Sequence, residues 1–188
     1  MNPNPENPRT PAARRPWRAS ALACLLAAAS PLAWSQGAPL IDKGDTSFMK
    51  QAAQHGHAEV ATSRLALERS GDAAVKAFAK QMVDDHTRAG QELAKLAAAK
   101  GVDLPDEPST MQQGKIKLLG RIEGRNFDTQ YADDYGVKAH ESTVMLFEKA
   151  EANVKDADLK AWVAKTLPTL RQHLHHAYEL KRQTAPKP

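Results

Sequence analysis

Long helical periodicity is the feature that most restricts the fold of this 188-residue chain. In several segments apolar residues recur at gaps of three and four, which places them on one face of a helix. One stripe is Val75, Phe78, Met82, His86, Ala89, Leu93 and Leu96, and another is Leu159, Val163, Thr166, Leu170, His173, Ala177 and Leu180. No convincing alternation of apolar and polar residues indicates a β-strand. The sequence therefore predicts an all-α domain.

Turn and capping residues divide this pattern into five predicted helices. They run from about Thr46 to Arg69, from Ala73 to Lys100, from a cap at Ser109 to Leu119, from a cap at Asn126 to Asn153, and from Asp156 to Arg182. In the first turn, Ser70 is expected to end the helix, Gly71 to adopt a left-handed conformation and Asp72 to cap the next helix. Ser109 and Gln112 form a capping-box pattern at the start of the short third helix.

The lengths of the connections predict how the helices are arranged. The first and second helices, and the fourth and fifth, are joined by tight turns, so each pair is expected to form an antiparallel hairpin. The short third helix lies in the crossover between the hairpins, which is the ferritin-like four-helix bundle. An array of coiled coils is the competing all-α arrangement, and the tight turns disfavour it. The bundle is expected over residues 45–183, between a linker at 36–44 and a disordered tail at 184–188.

Residues 1–35 have the composition of a secretory signal peptide. The positive charges of the first segment are Arg9, Arg14, Arg15 and Arg18. An apolar run follows, and Ala33-Trp34-Ser35 supplies the small residues that signal peptidase accepts. The run is too short to span a bilayer. The sequence thus predicts cleavage after Ser35 and a periplasmic location.

The sequence disfavours two other export signals. Arg14-Arg15-Pro16-Trp17 loosely resembles a twin-arginine signal, but the match is poor and ordinary secretion is favoured. Cys24 suggests a lipoprotein signal, yet most of the apolar run follows this cysteine instead of preceding it, so lipidation is disfavoured.

Cleavage after Ser35 would remove the single cysteine and leave 22 basic and 21 acidic residues. The mature chain is therefore expected to have no disulfide and to be held by its core alone. It has no basic run interleaved with aromatic residues, so the sequence does not support nucleic-acid binding. We expect no membrane span in the mature chain, and the sequence identifies no protein partner.

Polar residues occupy core positions in all four long helices. His86 and His173 lie within the apolar stripes of the second and fifth helices, His140 lies inside the fourth, and Glu59 lies near the seam of the first. Counted from the turns, the two groups of each hairpin differ by about four residues, or roughly 6 Å along the axis. We therefore expect Glu59 to pair with His86, and His140 with His173, near the middle of the bundle.

Two interpretations explain such a cluster, because buried polar groups need partners. The first is a divalent metal ion, Zn, Fe, Mn or Cu, bound by Glu59, His86, His140 and His173, which suggests a role in metal or oxidative stress. The second is a structural network of hydrogen bonds and trapped water, in a non-catalytic envelope stress or interaction protein. Asp85 and Glu141 are adjacent to two of the histidines and could accept hydrogen bonds from imidazole N–H groups. For both residues, however, the sequence favours a solvated or capping charge.

Other sites have less support from the sequence. A di-iron centre requires Glu-x-x-His on two helices, but Val83 and Leu170 occupy the positions three residues before His86 and His173. Three further histidines are expected to be exposed: His57, His175 and His176. The chain shows no glycine-rich phosphate loop and no grouping of Ser, His and Asp typical of nucleophilic catalysis.

Several motifs in order along the chain resemble those of the exported domain of unknown function family 4142. They are Met82-Val83-Asp84-Asp85-His86, then Phe127-Asp128 with Tyr131 and His140, then Leu167-Pro168 followed by His173-Leu174. The resemblance covers residues 45–182. It implies a ferritin-like bundle in the periplasm, and members are often labelled outer membrane proteins. By this resemblance Glu59, Asp85, His86, His140 and His173 match recurrent polar positions of the family. The family has no settled activity, so the resemblance does not choose between metal and hydrogen bonds.

Overall fold

The structure is a computed structural model that describes residues 41–186. Over these residues it contains helices and no β-strand, which confirms the all-α prediction. The predicted signal peptide 1–35, residues 36–40 of the predicted linker and the last two residues of the predicted tail lie outside the described residues.

The helices follow the predicted order. They are α1 (Lys43–Arg69), α2 (Ala73–Ala99), α3 (Thr110–Leu119), α4 (Gly124–Gln130), a π-helix (Tyr131–Lys138), α5 (Ala139–Asn153) and α6 (Ala157–Thr184). α4, the π-helix and α5 follow one another without a break, so together they correspond to the single fourth helix that the sequence predicts. The π-helix in the middle of this stretch was not predicted.

The caps explain where the helices begin. The Asp42 carboxylate accepts the Gly44 N–H at 2.8 Å, and α1 therefore begins inside the segment predicted to be linker. Asp72 caps α2, and Ser109 and Gln112 form the capping box of α3, both as predicted. The cap predicted at Asn126 is wrong, because α4 begins at Gly124, whose positive φ of 59° a glycine tolerates.

The conformation of Gly71 and the end of the last helix differ from prediction. Gly71 is not left-handed; α1 ends because Ser70 adopts an extended conformation, with φ −73° and ψ 139°. The tail was predicted to begin at residue 184, but Thr184 is the last residue of α6 and is buried. Its carbonyl accepts the Thr129 hydroxyl at 2.8 Å, which holds the end of α6 against α4.

Two helix pairs enclose the core. α1 packs along α2, while α6 packs along the π-helix and α5. The pairs meet through contacts of α2 with α6 and of α1 with α5, and α3 lies against α1. None of the described helices is both long and apolar enough to cross a membrane.

The apolar core is divided into two clusters. One contains Phe48, Phe147 and Trp162, whose rings contact one another, and the other contains Phe78 and Tyr131. α1, α2 and α6 each contribute to both clusters. Along α2, for instance, Met82 belongs to the second cluster and Leu93 to the first, with His86 between them. The His86 side chain therefore lies at the boundary between the two apolar clusters.

A buried carboxylate joins the two helix pairs at one end. Asp45, in the first turn of α1, is 3% exposed. Its oxygens accept the backbone N–H of Lys155 at 3.2 and 3.3 Å and that of Asp156 at 2.8 Å. Asp45 therefore bonds N–H groups of the turn that leads into α6.

Replacing Asp45 by alanine is expected to lower the free energy of unfolding by roughly 1–3 kcal/mol, since buried donors lose their acceptor. Asp45→Asn retains one carbonyl oxygen and is expected to lose less than half as much. Urea denaturation of the two variants and the parent chain measures the difference. Equal stability of all three proteins would show that the carboxylate does not hold this turn.

Candidate metal centre

Three histidines from three helices meet at the boundary between the apolar clusters. His86 lies on α2, His140 on α5 and His173 on α6, with exposures of 7%, 0% and 1%. Their ring centroids are 5.4–5.6 Å apart, and one ring nitrogen of each lies within 4.8 Å of one nitrogen of both others. The convergence of these three residues agrees with the levels inferred from the sequence.

The π-helix fixes the orientation of His140. Its Nδ1–H donates to the Gly136 carbonyl at 2.8 Å. A carbonyl can only accept, so in the neutral ring the proton is on Nδ1 and the lone pair is on Nε2. A Cβ at Gly136 would lie 3.4 Å from the Cβ of Ala177. The glycine thus allows the π-helix to pack closely against α6 while its carbonyl holds the imidazole.

A carboxylate on a different helix fixes His173. Its Nε2–H donates to the Asp85 carboxylate at 2.9 Å, and Asp85 also accepts a hydrogen bond from Arg88. Burial raises the pKa of Asp85, but its contacts with His173 and Arg88 outweigh burial and leave the pKa below its ordinary value. With its proton on Nε2, neutral His173 has its lone pair on Nδ1.

Three buried ring nitrogens have no hydrogen-bond partner among the described residues: His86 Nε2, His140 Nε2 and His173 Nδ1. On His140 and His173 these are the nitrogens that carry the lone pair, because the other nitrogen of each ring donates its proton. Two of the three rings thus donate away from the cluster and keep an acceptor nitrogen that no described residue uses.

The electrostatic environment keeps the rings neutral. Burial holds the pKa of His86 well below its ordinary value and lowers that of His140 to about 4. Burial also lowers the pKa of His173, although the Asp85 carboxylate opposes this shift. Neutral imidazole is the form that binds a metal ion, so the cluster presents metal-binding nitrogens near neutral pH.

Glu59 does not join this triad, contrary to the predicted four-ligand set. It is 4% exposed, and its Oε1 lies 3.9 Å from His140 Nδ1, the nitrogen that donates to Gly136. The carboxyl is therefore on the far side of His140 from its lone pair, and it approaches His140 instead of pairing with His86. Burial raises the pKa of Glu59 to about 8. At neutral pH the contact therefore joins two uncharged groups.

The remaining residues that the sequence singled out differ in their hydrogen-bond partners and in their exposure. Asp85 accepts an imidazole N–H, the less favoured of its two predicted roles, and the ring belongs to His173 instead of its neighbour His86. Glu141 accepts a hydrogen bond from the Tyr178 hydroxyl, so it points to a different group than the expected imidazole. His57 and His175 are exposed as predicted, whereas His176 is half-buried.

His55, which lies one helical turn before Glu59 on α1, has no role predicted from the sequence. The hydroxyl of Thr143 donates to the Ala139 carbonyl at 2.9 Å, so it accepts from His55 Nδ1 at 2.9 Å. Burial lowers the pKa of His55. His55 and Glu59 are four residues apart and so share one face of a helix. This spacing was the available signal, but it did not separate His55 from Glu59.

Fold and site together define an all-α domain with a buried three-histidine cluster. A family model described as Domain of unknown function (DUF4142) matches residues 30–180. The chain belongs to this family, as its motifs indicated. No curated protein and no solved structure matches the chain.

Proposed function

We propose that this protein binds one divalent transition-metal ion through His86, His140 and His173. The observation that supports this function is the convergence of three buried ring nitrogens that lack a hydrogen-bond partner among the described residues. A buried polar atom without a partner costs roughly 1–3 kcal/mol. Coordination of one ion would offset this cost at all three atoms.

The hydrogen bonds favour a metal over a structural network. In a network without trapped water, the polar groups would bond to one another. Instead, His140 donates to the Gly136 carbonyl and His173 to the Asp85 carboxylate. A histidine whose second nitrogen is held by a carbonyl or carboxylate is the usual arrangement of metal ligands.

The donor set restricts the metal. Imidazole nitrogen suits zinc, copper and iron, whereas manganese prefers oxygen ligands, and Glu59 lies outside the triad. Three protein ligands leave a coordination position for water or another ligand, as in open zinc sites. A role in metal handling or oxidative stress is consistent with such a centre.

We further propose that the domain is a ferritin-like bundle that acts in the periplasm. The two packed hairpins with a long crossover support the first part. The charged start, apolar run and small residues before Gln36 support the second. Mass spectrometry of chain recovered from a periplasmic fraction tests the location. An intact amino terminus found only in the cytoplasm would contradict it.

Metal analysis of the untagged chain, expressed in full and purified without chelator, tests the proposed site. Inductively coupled plasma mass spectrometry is expected to find close to one equivalent of zinc, copper or iron. The His140→Ala variant is expected to retain less than about a tenth of an equivalent, because a ligand is lost. Less than that amount in the parent chain, even after incubation with each metal, would favour the structural-network alternative.

The Asp85 carboxylate, which accepts the His173 N–H, allows a matched test. Asp85→Asn is expected to weaken zinc binding about 10- to 100-fold, the usual effect of removing such a partner. Asp84→Asn is the control, because Asp84 is exposed and pairs with Lys80. Competition with a zinc chelator measures both affinities. Equal affinities of the two variants would show that Asp85 does not support a zinc ligand.

A further inference from the structure

A cavity of about 590 Å³ is lined by residues of α1, α3, the π-helix and α5. None of the three clustered histidines belongs to its wall, so this space is separate from the proposed metal site. Ligand cavities in proteins commonly measure about 300–1,000 Å³. The cavity is therefore large enough for a small organic molecule.

The one buried polar side chain of the wall is Glu59, which is 4% exposed. Its carboxyl accepts no hydrogen bond from the described residues. His140 Nδ1 lies 3.9 Å from Oε1, beyond hydrogen-bond distance, and donates to the Gly136 carbonyl instead. Unlike the unpartnered ring nitrogens of the histidine cluster, the two oxygens are not fully closed off from solvent. Since buried polar groups are normally hydrogen-bonded, Glu59 presents acceptor atoms that a ligand in the cavity can reach.

A second acceptor lies one helical turn away on the same face of α1. His55 Nδ1 donates to the Thr143 hydroxyl at 2.9 Å, so the neutral ring has its lone pair on Nε2. Burial lowers the pKa of His55, which favours this neutral form. Nε2 has no hydrogen-bond partner among the described residues, and it too retains accessible surface. The wall thus offers acceptors from two side chains whose Cβ atoms are about 5–6 Å apart.

A third polar group of the wall both donates and accepts. Tyr135, on the π-helix, is half-buried, and its hydroxyl bonds no other described residue. Burial raises the pKa of Tyr135 to about 12, so the hydroxyl keeps its proton near neutral pH. A ligand hydroxyl can donate to Glu59 or His55 and also accept from Tyr135, because it has one proton and two lone pairs. An ammonium group has no acceptor, so it complements only part of this wall.

The charged residues of the lining favour a neutral ligand in either protonation state of Glu59. Lys115 and Lys138 are exposed, and Lys138 pairs with Asp134 at 2.7 Å. Two cations and one anion leave one positive charge, and an ionised Glu59 reduces this sum to zero. The wall therefore has no net negative charge to hold a cation. An anion would lie against the acceptor atoms of Glu59 and His55.

The rest of the lining is mainly apolar and favours an aromatic ring. Leu119 is buried, and Ile116 and Ile122 are half-buried. Met111 and Leu118, also on α3, are 73% and 60% exposed. A flat ring against these side chains removes apolar surface from water, and a methionine sulfur makes favourable contacts with ring edges.

We propose that this cavity binds a neutral aromatic compound that carries two hydroxyl groups. The hydroxyls donate to the Glu59 carboxyl and to His55 Nε2, Tyr135 donates to one of them, and the ring packs on the apolar side chains of α3. A carboxyl group accepts a hydrogen bond whether or not it is ionised, so this recognition does not depend on the charge of Glu59. Binding requires no ion, and its test remains decisive if the metal proposal fails.

The test is a ¹⁵N NMR titration of the full chain in the presence of a chelator. Resorcinol, which carries two hydroxyls on one ring, is the probe, and its dimethyl ether, which lacks both donors, is the matched control. Resorcinol is expected to cause saturable shifts of backbone amides in the lining, such as those of Leu119 and Ala139. It is expected to bind at least fivefold more tightly than the ether, about the factor supplied by one net hydrogen bond. Benzylammonium, a cation of similar size, is expected to bind more weakly than resorcinol.

Two variants test the acceptors. Glu59→Leu and His55→Leu are each expected to weaken resorcinol binding about fivefold, because each removes one acceptor. Glu141→Leu is the control and should bind resorcinol as the parent chain does, since Glu141 bonds Tyr178 outside this cavity. Circular dichroism checks the helical fold of every variant, and His55→Leu keeps the test decisive if Glu59→Leu does not fold. Absence of saturable shifts at the cavity, equal affinity for resorcinol and its ether, tighter binding of benzylammonium, or unchanged affinity in a folded acceptor variant would each overturn the proposal.

Discussion

Zinc at a free concentration 1,000 times its dissociation constant is expected to stabilise the metal-free chain by about 4 kcal/mol. The reason is that the three nitrogens meet only in the folded state, so the ion binds the native chain in preference to the unfolded chain. His173→Ala removes one of three ligands. This variant should weaken zinc binding by more than the roughly 100-fold loss of affinity caused by removing an outer hydrogen-bond partner. At the same free zinc, the stabilisation then falls below about 1.4 kcal/mol.

Denaturation in zinc-buffered urea measures this difference. The matched control is His175→Ala, because the His175 side chain lies two residues away on α6 and is 71% exposed. This variant is expected to retain the full stabilisation of about 4 kcal/mol. Equal losses in the two variants would attribute the effect to surface histidines, and no stabilisation of the parent chain would remove the basis for a specific site.

Without metal, the chain is expected to be most stable near pH 6.5. The three core imidazoles have pKa values depressed by burial, whereas an unfolded histidine titrates near pH 6.5. Below that pH the unfolded chain takes up protons that the native chain excludes, so stability falls. For His140, whose folded pKa is about 4, the loss amounts to about 3 kcal/mol by pH 4.

Glu59 has the opposite effect on the alkaline side. Its pKa is raised from 4.5 to about 8 by burial, so the native chain holds a proton that the unfolded chain releases. Stability due to this group is fully present below pH 4.5 and is lost as pH rises to 8. Below pH 6.5 the histidines dominate, because three of them oppose one carboxyl group. Between pH 6.5 and 8 Glu59 is expected to cost about 2 kcal/mol, and the three histidines, which are still half protonated in the unfolded chain at pH 6.5, offset about 1 kcal/mol of this loss.

Glu59→Gln separates the two effects. The amide has a similar shape and does not titrate, so the decline between pH 6.5 and 8 is expected to disappear while the decline in acid remains. Glu141→Gln, which changes a carboxylate bonded to Tyr178, is the control and should keep both declines. Urea denaturation at half-unit pH intervals, in the presence of a chelator, measures the profile. An alkaline decline that persists in Glu59→Gln would show that another group causes it.

Periodicity was sufficient to predict the helices and the convergence of three histidines. His86, His140 and His173 replace apolar residues in stripes that face the core, and the distance of each from its turn sets its level. Both quantities depend only on the geometry of a single helix and a short connection. For this reason the sequence alone predicted them.

The remaining features depend on contacts between helices. His55 and Glu59 share a stripe on α1, and only packing decides that Glu59 approaches His140 while His55 bonds Thr143. Asp85 points away from its neighbour His86 but reaches His173 on α6. The π-helix has no pattern that separates it from an α-helix in this sequence. Its course depends on the packing of Gly136 against α6.

X-ray absorption at the zinc edge, on the chain loaded with one equivalent of zinc, tests the three-histidine centre most directly. We expect scattering from three imidazole rings with nitrogens at about 2.0–2.1 Å, together with oxygen from a bound water. A spectrum that contains one imidazole or none, or that is unchanged when His86, His140 and His173 are all replaced by alanine, would contradict this centre.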